Sequence, residues 1–161
     1  MENLSDPDKI HNTVKDLIKT SNQELLVILP TVNTFYRYER EGIIRALKEE
    51  TEHGVKVRIL MQHLGDDTFN NQGIILDGHE IVQELIRNPL IVVHYLDRFL
   101  NIRLITIISD TKFALAIKVT HDEHEKSNEA VKLATYTNRE SAVTSYTSRF
   151  ETLWMQAEFK R

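Results

Sequence analysis

Two arginines one helical turn apart, Arg37 and Arg40 in the stretch TFYRYERE, are the first candidates for chemistry in this chain. Guanidiniums at that spacing can clamp an anion bidentately. The stretch follows an apolar run ending at Pro30, so Thr31, Asn33 and Thr34 stand where backbone N–H groups at a helix N-terminus face a ligand crevice. The competing reading pairs Arg37 and Arg40 with Glu39, Glu41 or other surface carboxylates along a wet helix face. His63, at the end of a second apolar run, has the right pKa class to titrate in such a crevice, whereas His94 lies inside an apolar strand and reads more simply as a core histidine. His121, Asp122, Glu123, His124 and Glu125 form the densest set of metal-ligating side chains. Their spacing matches no two-histidine helix motif, and a solvated turn accounts for them, so no metal site and no cofactor is expected.

The missing patterns narrow the chemistry further. The chain contains no G-x-S-x-G, no P-loop and no dinucleotide fingerprint. Zero cysteines exclude disulfides, thiolate metal sites and cysteine nucleophiles, and a formal charge of -4 offers no overall attraction to nucleic acid or anionic lipid. At 161 residues, 41% of them hydrophobic, the chain fits one domain with a real core. The N-terminus shows no basic region followed by an apolar one, and no apolar run is long enough to span a bilayer, so a cytoplasmic location is expected.

The elements that must position these residues follow from periodicity. SDPDKIHNTVKDLIKTS places Ile10, Val14, Leu17 and Ile18 at helical spacing, with Ser5 as N-cap and Pro7 in the first turn. QELLVILP reads as a buried strand, and from Thr31 a helix carries Phe35, Tyr38, Ile43, Ile44 and Leu47 to a C-cap at Gly54. VKVRILM is a second strand. The Gly-, Asn- and Asp-rich QHLGDDTFNNQGIILDG follows as the one long loop. HEIVQELIRN is a short helix, LIVVHYL a third strand, and NIRLITIISDTKFALAIKV a hairpin closed at Asp110 and Thr111. The polar THDEHEKSNEA leads to a short helix, KLATYTN is a candidate last strand, and a final helix over 139–160 carries Val143, Tyr146, Phe150, Leu153 or Trp154, and Ala157 on one face. The order implies a layered α/β domain with a mixed sheet, parallel through its βαβ units and antiparallel at the hairpin.

Three pieces of the chain together resemble the phospholipase D-like superfamily, and more closely the sensory domains of that type in archaeal histidine kinases. They are ILPTVNTFYRYEREGIIRALKEETEHGVKVRIL, IRLITIISDTKFALAIKV and LATYTNRESAVTSYTSRFETLWMQAE, which place the resemblance over most of residues 22 to 158. Catalytic members carry H-x-K-x-x-x-x-D on such a hairpin, where the histidine attacks phosphorus and the lysine neutralises the phosphoryl oxygens. With Asp110 on the motif's aspartate, Arg103 takes the histidine position and Ile105 the lysine position, while the usual Gly-Ser segment falls near Ile117 and Lys118. A guanidinium stays protonated and cannot be this nucleophile. The alternative register puts Asn101 and Arg103 on the histidine and lysine positions and Ile108 on the aspartate, again without a nucleophile.

The resemblance therefore implies a single-motif phospholipase D-like domain with no catalytic residue. Its expected role is sensory or regulatory, within a histidine-kinase-associated two-component system, binding a small anionic ligand through Arg37, Arg40, Arg103, His63, Thr31 and Asn33. A homodimer is expected from the family, and the final helix is expected to lead into a further kinase or regulatory module. The alternatives are a divergent homodimeric phosphodiesterase or nuclease, and the effector domain of a transcription regulator; the net charge argues against nucleic acid as partner.

Overall fold

The computed structural model describes residues 1–64, 78–97, 99–120 and 130–159. A single seven-stranded sheet runs through them in the order β1-β7-β6-β5-β2-β3-β4. Its strands are β1 (Glu2–Leu4), β2 (Glu24–Leu29), β3 (Lys56–Gln62), β4 (Ile91–Leu96), β5 (Leu104–Ser109), β6 (Phe113–Thr120) and β7 (Ala130–Thr137). The helices are α1 (Pro7–Lys19), α2 (Val32–Arg40), α3 (Ile43–Thr51), α4 (Gly78–Ile86) and α5 (Glu140–Phe159). β2, β3 and β4 run parallel, and β5, β6, β7 and β1 continue the sheet antiparallel. The expected mixed sheet flanked by helices is what forms.

Alternation along the strands sorts the core into two layers. Leu25, Val27, Leu29, Val57, Ile59, Met61, Ile105, Ile107, Leu115 and Ile117 share one face with the apolar sides of α1 to α4, while Leu26, Ile28, Leu60, Ile108 and Ala114 meet Val143, Phe150 and Trp154 of α5. Val143, Phe150 and Trp154, three of the positions expected on the face of the final helix, are buried there, and Tyr146, Leu153 and Ala157 pack at its margin. β1 had no counterpart in the sequence reading: three residues are too few to show a period, and only Leu4 is buried.

Two boundaries differ from expectation for local reasons. Asp6, not Ser5, caps α1, its carboxylate accepting from the Asp8 N–H at 3.0 Å with Pro7 in the first turn. The single helix expected from Thr31 to Gly54 is two helices. The Glu41 and Gly42 N–H groups close α2 onto Arg37 and Glu39, and Gly42 at φ 83 starts a new helix whose first bond runs from the Ala46 N–H. Glycine takes that left-handed conformation without the Cβ penalty, and the apolar period continues across the break because both helices bury the same side. The long loop over 65–77, the stretch between Thr120 and β7, and the His121 to Glu125 cluster lie outside the described residues.

Arg58 ties the second layer together. From β3 it donates bidentately to the Glu151 carboxylate at 2.9 and 2.7 Å and through Nε to Glu24 at 3.3 Å, and its guanidinium carbon lies 5.3 and 5.2 Å from the rings of Phe150 and Trp154. The Arg58 hydrogen bonds hold the Glu151 carboxyl below its ordinary range. Because the pair is partly solvated, Glu151→Ala is expected to lower stability by only about 1–2 kcal/mol in urea unfolding, with Glu151→Gln losing less. Among the described residues no helix is long and apolar enough to cross a membrane.

Candidate functional site

Strand direction gathers one set of chain segments at one edge of the sheet. β2 and β3 end there, β5 begins there, and β6, antiparallel to β5, returns there. Between them opens a crevice of about 350 Å³ lined by Pro30, Thr31, Val32, Asn33, Gln62, Leu100, Asn101, Ile102, Arg103 and Val119. Arg103 is the one lining residue that carries a formal charge. It is exposed, and its own carbonyl accepts from the Val119 N–H at 3.0 Å, which fixes its backbone at the mouth of the β5–β6 hairpin. A cavity of mixed polar and apolar lining with one cation at its mouth suits an anion or a hydrogen-bonding small molecule.

The structure brings Thr31, Asn33 and Arg103 together here and leaves the other three expected binders outside. Thr31 caps α2: its hydroxyl accepts from the Thr34 N–H at 3.1 Å, and the Gln62 side-chain carbonyl accepts from the Val32 N–H at 3.0 Å. Those donors are used internally, so Thr34, fully buried, offers nothing to a ligand. Arg37 is half-buried with its guanidinium 5.7 Å from the Tyr38 ring centroid, and Arg40 is exposed at the far end of α2; neither lines the crevice. The helix axis carries both away from the N-terminal end that faces the crevice. Burial raises the Tyr38 phenol well above its ordinary value, opposed in part by the Arg37 charge.

His63 also misses the crevice. It packs its ring 4.9 Å from Tyr95 and 6.1 Å from His79, past the end of β3. His94, expected as a core histidine, is half-buried on β4, its ring tilted 52° against Trp154 with centroids 4.1 Å apart. Gln62 and Asn101 are the lining residues that the sequence offered no sign of as a pair, since an amide at a strand end is common and only sheet order places the two on either side of the end of β2.

The hairpin decides the fate of the motif positions. Asp110 sits at the opposite edge of the sheet from Arg103, the length of β5 away, about 20 Å at strand rise. There its carboxylate accepts from the N–H groups of Asn22, Gln23 and Glu24 at 2.9, 2.7 and 2.9 Å. Partial burial alone would raise the Asp110 carboxyl, but those three donors and the Lys112 charge outweigh it and hold the group below its ordinary value. Asp110 and Thr111, at φ 56 and 52, are the central residues of the tight turn expected at the hairpin apex, closed by the Lys112 N–H on the Ser109 carbonyl at 2.9 Å, with three residues between the paired Ser109 and Phe113. Ile105 is fully buried in the core beneath α1 to α4. Asn101 and Arg103, the pair of the alternative register, both line the crevice. Among the described residues no group of three or more metal-ligating side chains converges.

No protein-family model matches the chain, and no curated protein does. Solved structures do. NucT from Helicobacter pylori aligns with a TM-score of 0.68 at 12% identity over 97% of this chain and 95% of its own. Nuc from Salmonella typhimurium, described as a phospholipase D family member, aligns at 0.65 with 14% identity over 96% and 93%. The fold is phospholipase D-like. TrmBL2, described as an archaeal chromatin protein with a novel mode of DNA binding, aligns at 0.62 with 14% identity, and there the phospholipase D-like chain spans 52% of the longer protein. Identities this low speak for the fold alone, so the function of this phospholipase D-like chain rests on its own crevice.

Proposed function

We propose that the chain is a non-catalytic phospholipase D-like ligand-binding domain of regulatory type, in which the crevice around Arg103 holds a small anionic ligand. One observation carries the reading: the positions that would supply nucleophile and lysine hold Arg103 and the fully buried Ile105, or in the other register Asn101 and Arg103, and none of these side chains can attack phosphorus. What remains at the crevice is a cation and neutral hydrogen-bonding groups, which bind without reacting.

The regulatory part of the proposal rests on α5. It packs on the sheet through Val143, Phe150 and Trp154, then runs on to Met155 and Phe159, which are exposed. Exposed apolar side chains in the last turns of a helix that is otherwise packed on the sheet suit a single sensory domain coupled to a following module, such as a histidine kinase of a cytoplasmic two-component system, with two copies of the domain acting together.

Thermal unfolding with inorganic phosphate and with mononucleotides tests the binding. A ligand at about 100 times its Kd stabilises by about 2.7 kcal/mol, which for a chain of this size raises Tm by about 5–10 °C. The expected result is such a shift with one of these anions, abolished in Arg103→Ala. A shift that survives Arg103→Ala places the binding elsewhere. Retention of duplex DNA that Arg103→Ala abolishes replaces the small ligand with nucleic acid.

A further inference from the structure

The lining of the crevice around Arg103 is of two kinds. Pro30, Val32, Leu100, Ile102 and Val119 are apolar, with Leu100 partly exposed at the rim, while Thr31, Asn33, Gln62 and Asn101 are neutral hydrogen-bonding groups beside the one cation. Among the described residues no carboxylate lines it. Nor does any described side chain pair with the Arg103 guanidinium, so its fork of N–H groups is open to a ligand. The Gln62 amide oxygen is taken by the Val32 N–H at 3.0 Å, which leaves the amide nitrogen as the free end of that side chain and makes Gln62 a donor to the cavity. The volume, about 350 Å³, lies at the small end of the range for ligand sites, and a cavity of about 150 Å³ already accepts benzene. One ring with a short acidic arm fits within it.

Resting on the reading of this crevice as an anion site, we propose that it selects a carboxylate carried on a compact apolar body, a single ring or a short branched chain, over phosphate and over an amino acid. Charge decides first. A phosphomonoester brings about −1.5 to −2 charges and three strong acceptor oxygens, which call for several cations, and the lining supplies one. A carboxylate brings a single charge and two oxygens in one plane, which one guanidinium fork meets with two parallel N–H bonds, and the Gln62 amide nitrogen adds a further donor. The apolar residues decide the rest of the ligand. Phosphoryl oxygens turned toward Pro30, Ile102 and Val119 lose water without gaining a donor, whereas a hydrocarbon body gains by leaving water there. An amino acid fits worse than the plain acid, because its ammonium enters beside Arg103 and meets no counter-charge in the lining.

Isothermal titration calorimetry of the purified chain at neutral pH tests it, with phenylpropionate, its uncharged analogue phenylpropanamide, phenylalanine and inorganic phosphate as probes and the fold of each variant checked by circular dichroism. Phenylpropionate is expected to bind with a Kd at least about tenfold below those of the other three, and Arg103→Ala is expected to raise that Kd by at least about tenfold. Gln62→Glu keeps an oxygen for the Val32 N–H but sets a negative charge beside the ligand, and is expected to weaken phenylpropionate as much. Leu100→Ser, at a partly exposed position, is expected to narrow the margin between phenylpropionate and phosphate. Phosphate binding as tightly as phenylpropionate, and lost in Arg103→Ala, overturns the carboxylate assignment and leaves the anion site standing. Phenylpropanamide or phenylalanine matching phenylpropionate overturns the assignment, as does phenylpropionate binding that survives Arg103→Ala. No binding of any anion, mononucleotides included, overturns both the assignment and the anion site.

Discussion

Ile105→Lys is expected to destabilise the domain by at least about 4 kcal/mol or prevent folding, because the side chain lies fully buried among apolar residues beneath α1 to α4 and offers an ammonium no partner. The substitution restores the lysine of the phospholipase D-like motif in the register that keeps Asp110 as its aspartate. If the crevice had merely lost its lysine, the position would tolerate one. Instead the double variant Arg103→His, Ile105→Lys is expected to be less stable than wild type and inactive on bis-p-nitrophenyl phosphate. Ile105→Val, which removes one methyl group at the same place, is expected to lose about 1 kcal/mol, the ordinary consequence of a small core deletion. Urea unfolding monitored by circular dichroism measures all three. A stable, active double variant would mean that Ile105 occupies a catalytic position rather than a core one.

Asp110→Ala is expected to lower stability by about 3 kcal/mol, or Tm by about 6–12 °C, since three backbone N–H groups lose a charged acceptor and alanine must hold a left-handed conformation. Asp110→Gly separates the two effects: it removes the carboxylate but accepts the positive φ, and is expected to lose somewhat less. The same contacts set a pH dependence. The folded carboxyl is held below its ordinary value of 3.8, so its stabilisation is complete above that pH and is lost as the pH falls through the depressed folded pKa. In Asp110→Ala the acid limb of the stability curve is expected to be flatter than in wild type. Equal acid sensitivity in the two proteins would assign the pH dependence to other carboxylates.

The sequence reading of the elements succeeded where apolar period and length agreed. β2, β3, β4 and the β5–β6 hairpin were readable because alternation or continuous apolar character ran to a proline, glycine or aspartate stop. The α2–α3 break was not, since Gly42 interrupts the backbone without interrupting the apolar face. For the crevice, Thr31 and Asn33 follow from their place after a strand end and Arg103 from the motif register, and all three line it, whereas Arg37 and Arg40 do not: spacing along a helix fixes their mutual distance but not which end of the helix points at the crevice. His63 does not line it either, because a residue one position past Gln62 falls on the other side of the sheet edge. Gln62 and Asn101 could only be paired once β3 and β5 were known to flank β2, a fact of sheet order that local pattern does not encode.

The phospholipase D-like motif shows the same division. The hairpin and its Asp110 turn are intact because they organise the fold, with the aspartate anchoring the chain ahead of β2. The positions nearest the crevice hold Asn101 and Arg103, both exposed and outside the core. The turn that organises the fold and the residues of the crevice thus sit at opposite ends of one strand.

The most direct test of the central claim is hydrolysis of bis-p-nitrophenyl phosphate by the purified chain, at protein concentrations high enough to register slow turnover and with Arg103→Ala alongside. The expected result is release of p-nitrophenol at the buffer rate by both proteins, as required of a crevice without a nucleophile. Turnover by the wild-type chain that Arg103→Ala abolishes would contradict the claim and make this crevice an active site.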